Sequence, residues 1–280
     1  MFEIFHNVAF NTAKNTTKEY STSFSLAVKC LDRSIRQDIY NIYGFVRFAD
    51  EIVDTFETYN QEELLDQFET DMWQSLEAGI SLNPILHAFQ HTVNKYDIGY
   101  DLITAFLKSM RLDLTKSEYK TDDEYKDYIY GSADVVGLMC LTVFLNGNNQ
   151  KFNELKESAL ALGSAFQKVN FLRDFQHDLD SLGRSYFPGI QNNRLCDFTK
   201  QQITDEIRND FDKAYEGIVR LPNSSKFGVY LAYVYYETLL KQIETSSVES
   251  ILSSRIRVSN ISKLRLLFTS FFQFKLRVIQ

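Results

Sequence analysis

The chain is poor in turn-forming residues, with three prolines (Pro84, Pro188, Pro222) and eleven glycines in 280 residues. A β-sandwich or a doubly wound α/β domain of this length needs more. Cysteine is scarce: Cys30, Cys140 and Cys196 are widely spaced and form no CxxC pair. That excludes a disulfide framework and a cysteine-ligated zinc site, and points to a reducing, cytoplasmic setting. Neither GxxxxGK nor GxGxxG occurs, so no phosphate loop or dinucleotide fingerprint is present. Basic charge is not in excess: the net charge is −7, which argues against a nucleic-acid partner. The longest strongly apolar run, Val135 to Leu145, covers 11 residues, whereas a bilayer span needs about 20. The N-terminal stretch MFEIFHNVAFNTAKNTTKEY shows no basic start before a long apolar run, so it does not read as a secretory leader. A soluble or peripheral protein is expected.

What the chain does have is helical signal and aromatic mass. Asn60 with Glu63, Asn83 before Pro84, and Thr121 with Glu124 are helix starts, because a short polar side chain can satisfy the free N–H groups of a first turn. Ile39, Ile42, Tyr43, Val46 and Ala49 or Phe48 form one stripe of a helix spanning 33–56, and a second long helix covers 152–179. Further helices are expected at 20–30, 99–115, 199–220, 227–245 and 260–275, giving roughly eight to ten in one all-α domain over 1–280. Twenty-three Phe and 16 Tyr against one Trp suit a ring-rich core or a large apolar cavity.

Asp-x-x-x-Asp occurs four times. Residues i and i+4 share a helix face, where two carboxylates repel unless a cation joins them. Asp123/Asp127 lies in a charge run and reads as a solvated face, and Asp97/Asp101 reads as a helix boundary. Asp50/Asp54 and Asp174/Asp178 sit in apolar helices, in YGFVRFADEIVDTF and AFQKVNFLRDFQHDLD. Acids so placed must be paired or bind metal. Structural salt bridges to Arg47 and Arg173 are one reading. The other is two facing helices whose four carboxylates line a cavity and hold Mg²⁺ jointly with a ligand's phosphates. His177 reads as a polar neighbour rather than a ligand.

Seven ordered segments carry a resemblance. They are YSTSF (Tyr20–Phe24), IYNIYGFVRFADEIVD (Ile39–Asp54), YIYGSADVVGLM (Tyr128–Met139), QKVNFLRDFQHDLD (Gln167–Asp180), GRSYFP (Gly183–Pro188), LPNSSKFGVYLAYVYYETLLKQI and SRIRVSNISKL. In this order the chain resembles the squalene/phytoene synthase family of trans-isoprenyl diphosphate synthases, most closely its bacterial phytoene-forming members. The resemblance implies an isoprenoid synthase fold. It also implies a carotenoid-pathway prenyltransferase joining two geranylgeranyl diphosphates head to head, 1′–1, through a cyclopropyl diphosphate, with Mg²⁺ (or Mn²⁺ in its place) and without NADPH. Asp50, Asp54, Asn170, Asp174 and Asp178 would hold the metal. Arg47, Gln167 and Arg173 match positions around the metal–diphosphate cluster. Ser21, Ser23 and Phe24 match a flap over one diphosphate, and Tyr43, Tyr128, Tyr186, Tyr235 and Arg255 match further cavity or phosphate-side positions. Asp134 departs from the family, which more often carries glycine there. A squalene or dehydrosqualene synthase using two farnesyl diphosphates is the nearest alternative. A non-catalytic helical assembly subunit is another, disfavoured by the two intact acid pairs.

The last 26 residues hold six basic side chains (Arg255, Arg257, Lys263, Arg265, Lys275, Arg277) and no acid. A basic amphipathic helix resting on an anionic membrane and a packed terminal helix with a basic edge both fit. A desaturase acting on the polyene would be a downstream partner.

Overall fold

The computed structural model describes residues 2–190 and 195–275. The N-terminal third comprises α1 (Phe2–Tyr20), α2 (Thr22–Lys29), α3 (Arg33–Asp54), α4 (Gln61–Ala78) and α5 (Pro84–Tyr96). The middle comprises α6 (Tyr100–Asp113), α7 (Asp122–Ile129), a π-helical turn (Tyr130–Asp134), α8 (Val135–Phe144) and α9 (Asn149–Ser181). The C-terminal part comprises α10 (Asp197–Ile218), α11 (Asn223–Thr245), α12 (Val248–Ser253) and α13 (Asn260–Lys275). The all-α expectation holds, and no strand occurs among the described residues.

The helix starts fall where the caps indicated. Asn60 and Asn83 accept from the first-turn amides of α4 and α5, and Thr121 with Glu124 closes a full capping box on α7. Asp97 ends α5 in the left-handed region (φ 56°) and Asp101 sits in the first turn of α6, so that pair is a helix boundary. Asp123 and Asp127 are exposed. Thirteen α-helices rather than eight to ten are present among the described residues, because α1 and α12 were not legible and the helix expected after Thr121 is split into α7 and α8. α1 buries only Ala9, Ala13 and Thr17, too narrow a stripe to stand out.

The helix expected after Thr121 is interrupted by the π-turn. Asp134 ends it in ordinary right-handed geometry (φ −65°, ψ −42°), so that position makes no demand for glycine. Close approach instead uses Gly163 of α9: a Cβ there would lie 2.9 Å from the Cα of Asp134. By length and mean hydropathy, Asp122–Phe144 reaches the threshold of a membrane span. The segment nevertheless packs inside the bundle, with α8 against α3, α6 and α9.

α3 and α9 organise the interior. Both pass from an apolar end to an acidic end. Along α9, Leu155, Ala159, Leu162 and Phe166 are followed by Gln167, Asn170, Asp174 and Asp178, all lining the same cavity. Along α3 the order is Ile39, Ile42, Val46, then Arg47, Asp50 and Asp54. The apolar stripe of α3 is therefore partly cavity wall. The rings serve both uses: Phe45 stacks on Phe89 in the packed core (centroids 3.9 Å), while Phe171 stacks on Tyr186 at the cavity (3.9 Å).

Candidate active site

The cavity has a volume of about 580 Å³, within the usual size of a small-molecule site. Its mouth is built from two helix faces with nearly the same spacing: Tyr43, Arg47, Asp50 and Asp54 on α3, and Gln167, Asn170, Asp174 and Asp178 on α9. At 3.6 residues per turn, steps of three and four keep each set on one face. The floor is apolar, with side chains such as Val28 (α2), Cys140 and Phe144 (α8), Ile218 (α10) and Val229 (α11).

The acids are crowded. Asp50 is raised to about 7, first by burial, then by the neighbouring Asp54. Asp178 is also raised to about 7, by burial, by Asp174 and in part by Asp54 across the cavity. The two aspartate pairs therefore face each other. Each is partly balanced by arginine. Arg255 Nε donates to Asp174 Oδ1 at 2.7 Å, and Arg173 Nε donates to the same oxygen at 3.0 Å. Arg47 pairs with Glu51 and stacks over the Tyr20 ring at 4.4 Å. Its Nε is buried and has no hydrogen-bond partner among the described residues. The salt-bridge reading thus accounts for Arg173, while Arg47 keeps a donor at the cavity wall.

Two residues that sequence reasoning missed complete the mouth. Arg184, buried, donates from Nη1 to Asp54 Oδ1 at 2.6 Å and from Nη2 to the carbonyls of Val53 and Asp113. Asp113, at the end of α6, accepts from the Tyr128 hydroxyl at 2.8 Å, and burial raises its carboxyl to about 7. Arg184 lay inside GRSYFP, a segment already singled out; Asp113 had no local signal. The loop carrying Arg184 and Tyr186 is pinned by Ser185, whose N–H donates to the Ser117 carbonyl at 2.8 Å.

Most of the sequence-derived residues converge. Ser21, Phe24, Tyr128, Tyr186 and Arg255 join the α3 and α9 sets in lining the cavity. Ser21 caps α2 by accepting from the Phe24 amide, and Phe24 stacks on Tyr43 at 5.0 Å. Two residues do not line it. Ser23 is half-buried away from the wall. Tyr235 packs edge-on against Tyr236 and lies under Lys263 Nζ. Tyr236 takes the wall position instead and donates to Asn170 Oδ1 at 3.3 Å. The face of α11 turned inward is Gly228, Ala232, Tyr236, in steps of four, and one residue of phase places Tyr235 beside it. Asp134 is likewise off the wall. Its strongest attraction is to Lys168, which binds Glu206 and Asp210. His177 is exposed, 3.6 Å from Asp178 and absent from the wall.

The donor set suits a hard divalent cation. Among the described residues no three His, Cys, Asp or Glu side chains converge to cage an ion. Mg²⁺ is usually bound in that open way, through one or two carboxylates plus water and phosphate oxygens. Mutual repulsion within each aspartate pair is what such a cation relieves.

Residues 17–262 match the family model described as Squalene/phytoene synthase. The chain is 30% identical over 275 residues to phytoene synthase 1, chloroplastic, of Solanum lycopersicum, covering 91% of this chain and 66% of that one. It is 28% identical to the phytoene synthase of Arthrospira platensis, covering 86% of this chain and 85% of that one. It spans 62–66% of the length of the tomato, maize and narcissus relatives. Among solved structures it is similar to a dehydrosqualene synthase in complex with ligand (TM-score 0.79, 21% identity, covering 96% and 98% of the two chains). It is also similar to squalene synthase HpnC from Alicyclobacillus acidocaldarius (TM-score 0.74, 22% identity, 86% and 94%). These likenesses show the isoprenoid synthase fold, and the match across most of its length places this chain in the squalene/phytoene synthase family.

Proposed function

We propose that the protein is a phytoene synthase: a prenyltransferase that joins two geranylgeranyl diphosphates head to head through a cyclopropyl diphosphate. The observation carrying this reading is the pair of acidic faces on α3 and α9 at the mouth of one cavity with an apolar floor. The phytoene synthases among its relatives support the C20 substrate.

Asp50, Asp54, Asn170, Asp174 and Asp178 would hold Mg²⁺, or Mn²⁺ in its place. The ion, when bound, supplies Lewis-acid charge for departure of diphosphate. The chain's own residues do the rest. Arg47, with its unpartnered Nε, and Arg255 present guanidinium groups where phosphate oxygens would lie, and such preorganised charge is typically the largest contribution to catalysis. The apolar floor takes the prenyl chains and keeps water from an allylic cation. The rings of Phe24, Tyr43, Phe166, Phe171, Tyr186 and Tyr236 line the wall. Their faces can each stabilise a cation by roughly 0.5–2 kcal/mol. Tyr128 is held protonated, well above its ordinary value, by burial and by Asp113. It therefore acts as a donor to Asp113 and not as a base.

The test is incubation of purified protein and Mg²⁺ with geranylgeranyl or farnesyl diphosphate, each with and without NADPH, followed by product chromatography. Phytoene from the C20 substrate without NADPH is expected. A C30 product alone would assign the chain to squalene or dehydrosqualene synthesis, and no diphosphate release from either substrate would leave a helical assembly subunit. A desaturase would be the natural consumer of the product, in the cytoplasm or at its membrane face.

A further inference from the structure

Arg184 stands between two carboxylates. Its Nη1 lies 2.6 Å from Asp54 Oδ1 and 3.9 Å from Asp113 Oδ1. The guanidinium is not free to swing from one to the other. Nη2 donates to the carbonyls of Val53 at 3.0 Å and Asp113 at 3.1 Å, and the Arg184 amide donates to the Asp178 carbonyl at 3.0 Å. Arg184 is thereby fixed to the ends of α3 and α6 and to the last turn of α9.

The two acids differ in access. The Asp54 side chain is 34% exposed and the Asp113 side chain 3%. Arg184 occupies Asp54 Oδ1, and Asp54 Oδ2 has no hydrogen bond among the described residues. Asp113 is engaged on its other side: both its oxygens accept from the Tyr128 hydroxyl, at 2.8 and 2.9 Å. Tyr128 is itself buried among Tyr119, Tyr186 and Phe171, with centroids 4.6, 5.5 and 6.0 Å away. Asp113 is thus held rigidly behind Asp54. An arginine shared with no other acid would neutralise Asp54, the carboxylate on which a cation at the mouth depends. A second carboxylate on the same guanidinium leaves the three groups with a net negative charge. Asp54 then keeps both its charge and its fixed orientation.

We infer that Asp113 is a positioning residue for divalent-cation binding: through Arg184 it sets how strongly Asp54 attracts the ion. This rests on the reading that the acids of α3 and α9 hold Mg²⁺, and the experiment separates the two. A partner placed behind a metal ligand typically changes metal affinity by about 10–100-fold when it is removed.

The experiment is titration of the full chain with Mn²⁺ in the presence of inorganic diphosphate, followed by electron paramagnetic resonance, which reads affinity without turnover. Asp113→Asn keeps the size of the side chain and an oxygen to accept from Tyr128, and removes the charge. It should weaken Mn²⁺ binding about tenfold. Asp113→Ser, smaller and equally neutral, should show the same loss, so the result does not depend on how asparagine packs. Asp180→Asn removes the same charge from an exposed position two residues beyond Asp178, and should shift affinity by less than about twofold because water and salt screen it. In steady state Asp113→Asn should raise the Mg²⁺ concentration for half-maximal diphosphate release about tenfold and leave kcat at saturating Mg²⁺ within about twofold. Melting of the variants checks the fold. Wild-type affinity in both Asp113 variants overturns the inference and leaves Asp113 as an anchor for Tyr128. An equal loss in Asp180→Asn overturns it in favour of a diffuse negative field, and a fall in kcat with an unchanged Mg²⁺ requirement overturns it too. Wild-type protein that binds no Mn²⁺ removes the metal-site reading itself.

Discussion

Arg184 and Asp54 are 130 positions apart in sequence and joined by a 2.6 Å ion pair. The guanidinium also donates to the carbonyls of Val53 and Asp113. One side chain thus ties the loop after α9 to the ends of α3 and α6. Arg184→Ala removes the partner of a half-buried carboxylate and uncaps two carbonyls. A loss of about 3 kcal/mol is expected, read as a lower denaturation midpoint. Unchanged stability would show that the pair is incidental.

Asp50 and Asp174 should respond differently to the same substitution. Asp50 is crowded by Asp54 and Asp113, so Asp50→Asn relieves repulsion and should not lower the melting temperature. Asp174 holds Arg173 and Arg255, so Asp174→Asn should cost about 1 kcal/mol. Both should reduce diphosphate release at least about 100-fold. Chelation of divalent cations should abolish release, and added Mg²⁺ should restore it. Full activity in either variant would remove the metal-binding role.

Asp134 gives a pH signature away from the mouth. Burial raises its carboxyl to about 8, Asp210 adds to this and Lys168 opposes it, and its Oδ1 has no hydrogen-bond partner among the described residues. The unfolded chain ionises near pH 4 while the native carboxyl stays protonated. Its contribution to stability is therefore intact below that pH and is lost progressively as pH rises towards about 8. Asp134→Asn should melt higher than wild type at the alkaline end, by about 1 kcal/mol, with the difference shrinking towards pH 4. Parallel wild-type and variant pH curves would refute it.

The histidines have the opposite sign. His87 Nε2 lies 2.9 Å from His6 Nδ1, the His87 Nδ1 accepts from the Ser81 amide, and the His6 and His91 rings are 5.7 Å apart. Burial and the neighbouring rings lower His87 and His91; at His91, Asp38 opposes this and Lys95 adds to it. Native histidines then hold fewer protons than unfolded ones. The stability they confer is full above about pH 6.5 and is lost as pH falls below it. This cluster docks α1, whose last residue, Tyr20, lies under Arg47. Amide protection factors in α1, taken relative to intrinsic exchange at each pH, should fall below about pH 6.5, and less so in His91→Gln.

Much of the site was legible because helices write themselves locally. Asp50/Asp54 and Asp174/Asp178 stood out as acids in apolar helices, and their facing arrangement is what the structure shows. Tyr235 lies off the cavity wall, one position from Tyr236 and within electrostatic reach of Arg173, because the resemblance does not set the phase of α11 against the cavity. Ser23 was carried by its motif alone, and the neighbouring cap, Ser21, meets the wall instead.

The amino-acid sequence alone determined the all-α class, the helix starts at Asn60, Asn83 and Thr121, and which faces of α3 and α9 are acidic. These depend on caps and on a 3.6-residue period, interactions that span a turn or two. Tertiary packing alone decided that Arg184 and Asp113 join the acidic end of the cavity, that Asp134, the last residue of the π-turn, lies off its wall, and that large apolar side chains of α13 are exposed. Each of those depends on contacts between helices far apart in the chain, where no local pattern records which side chain will be met.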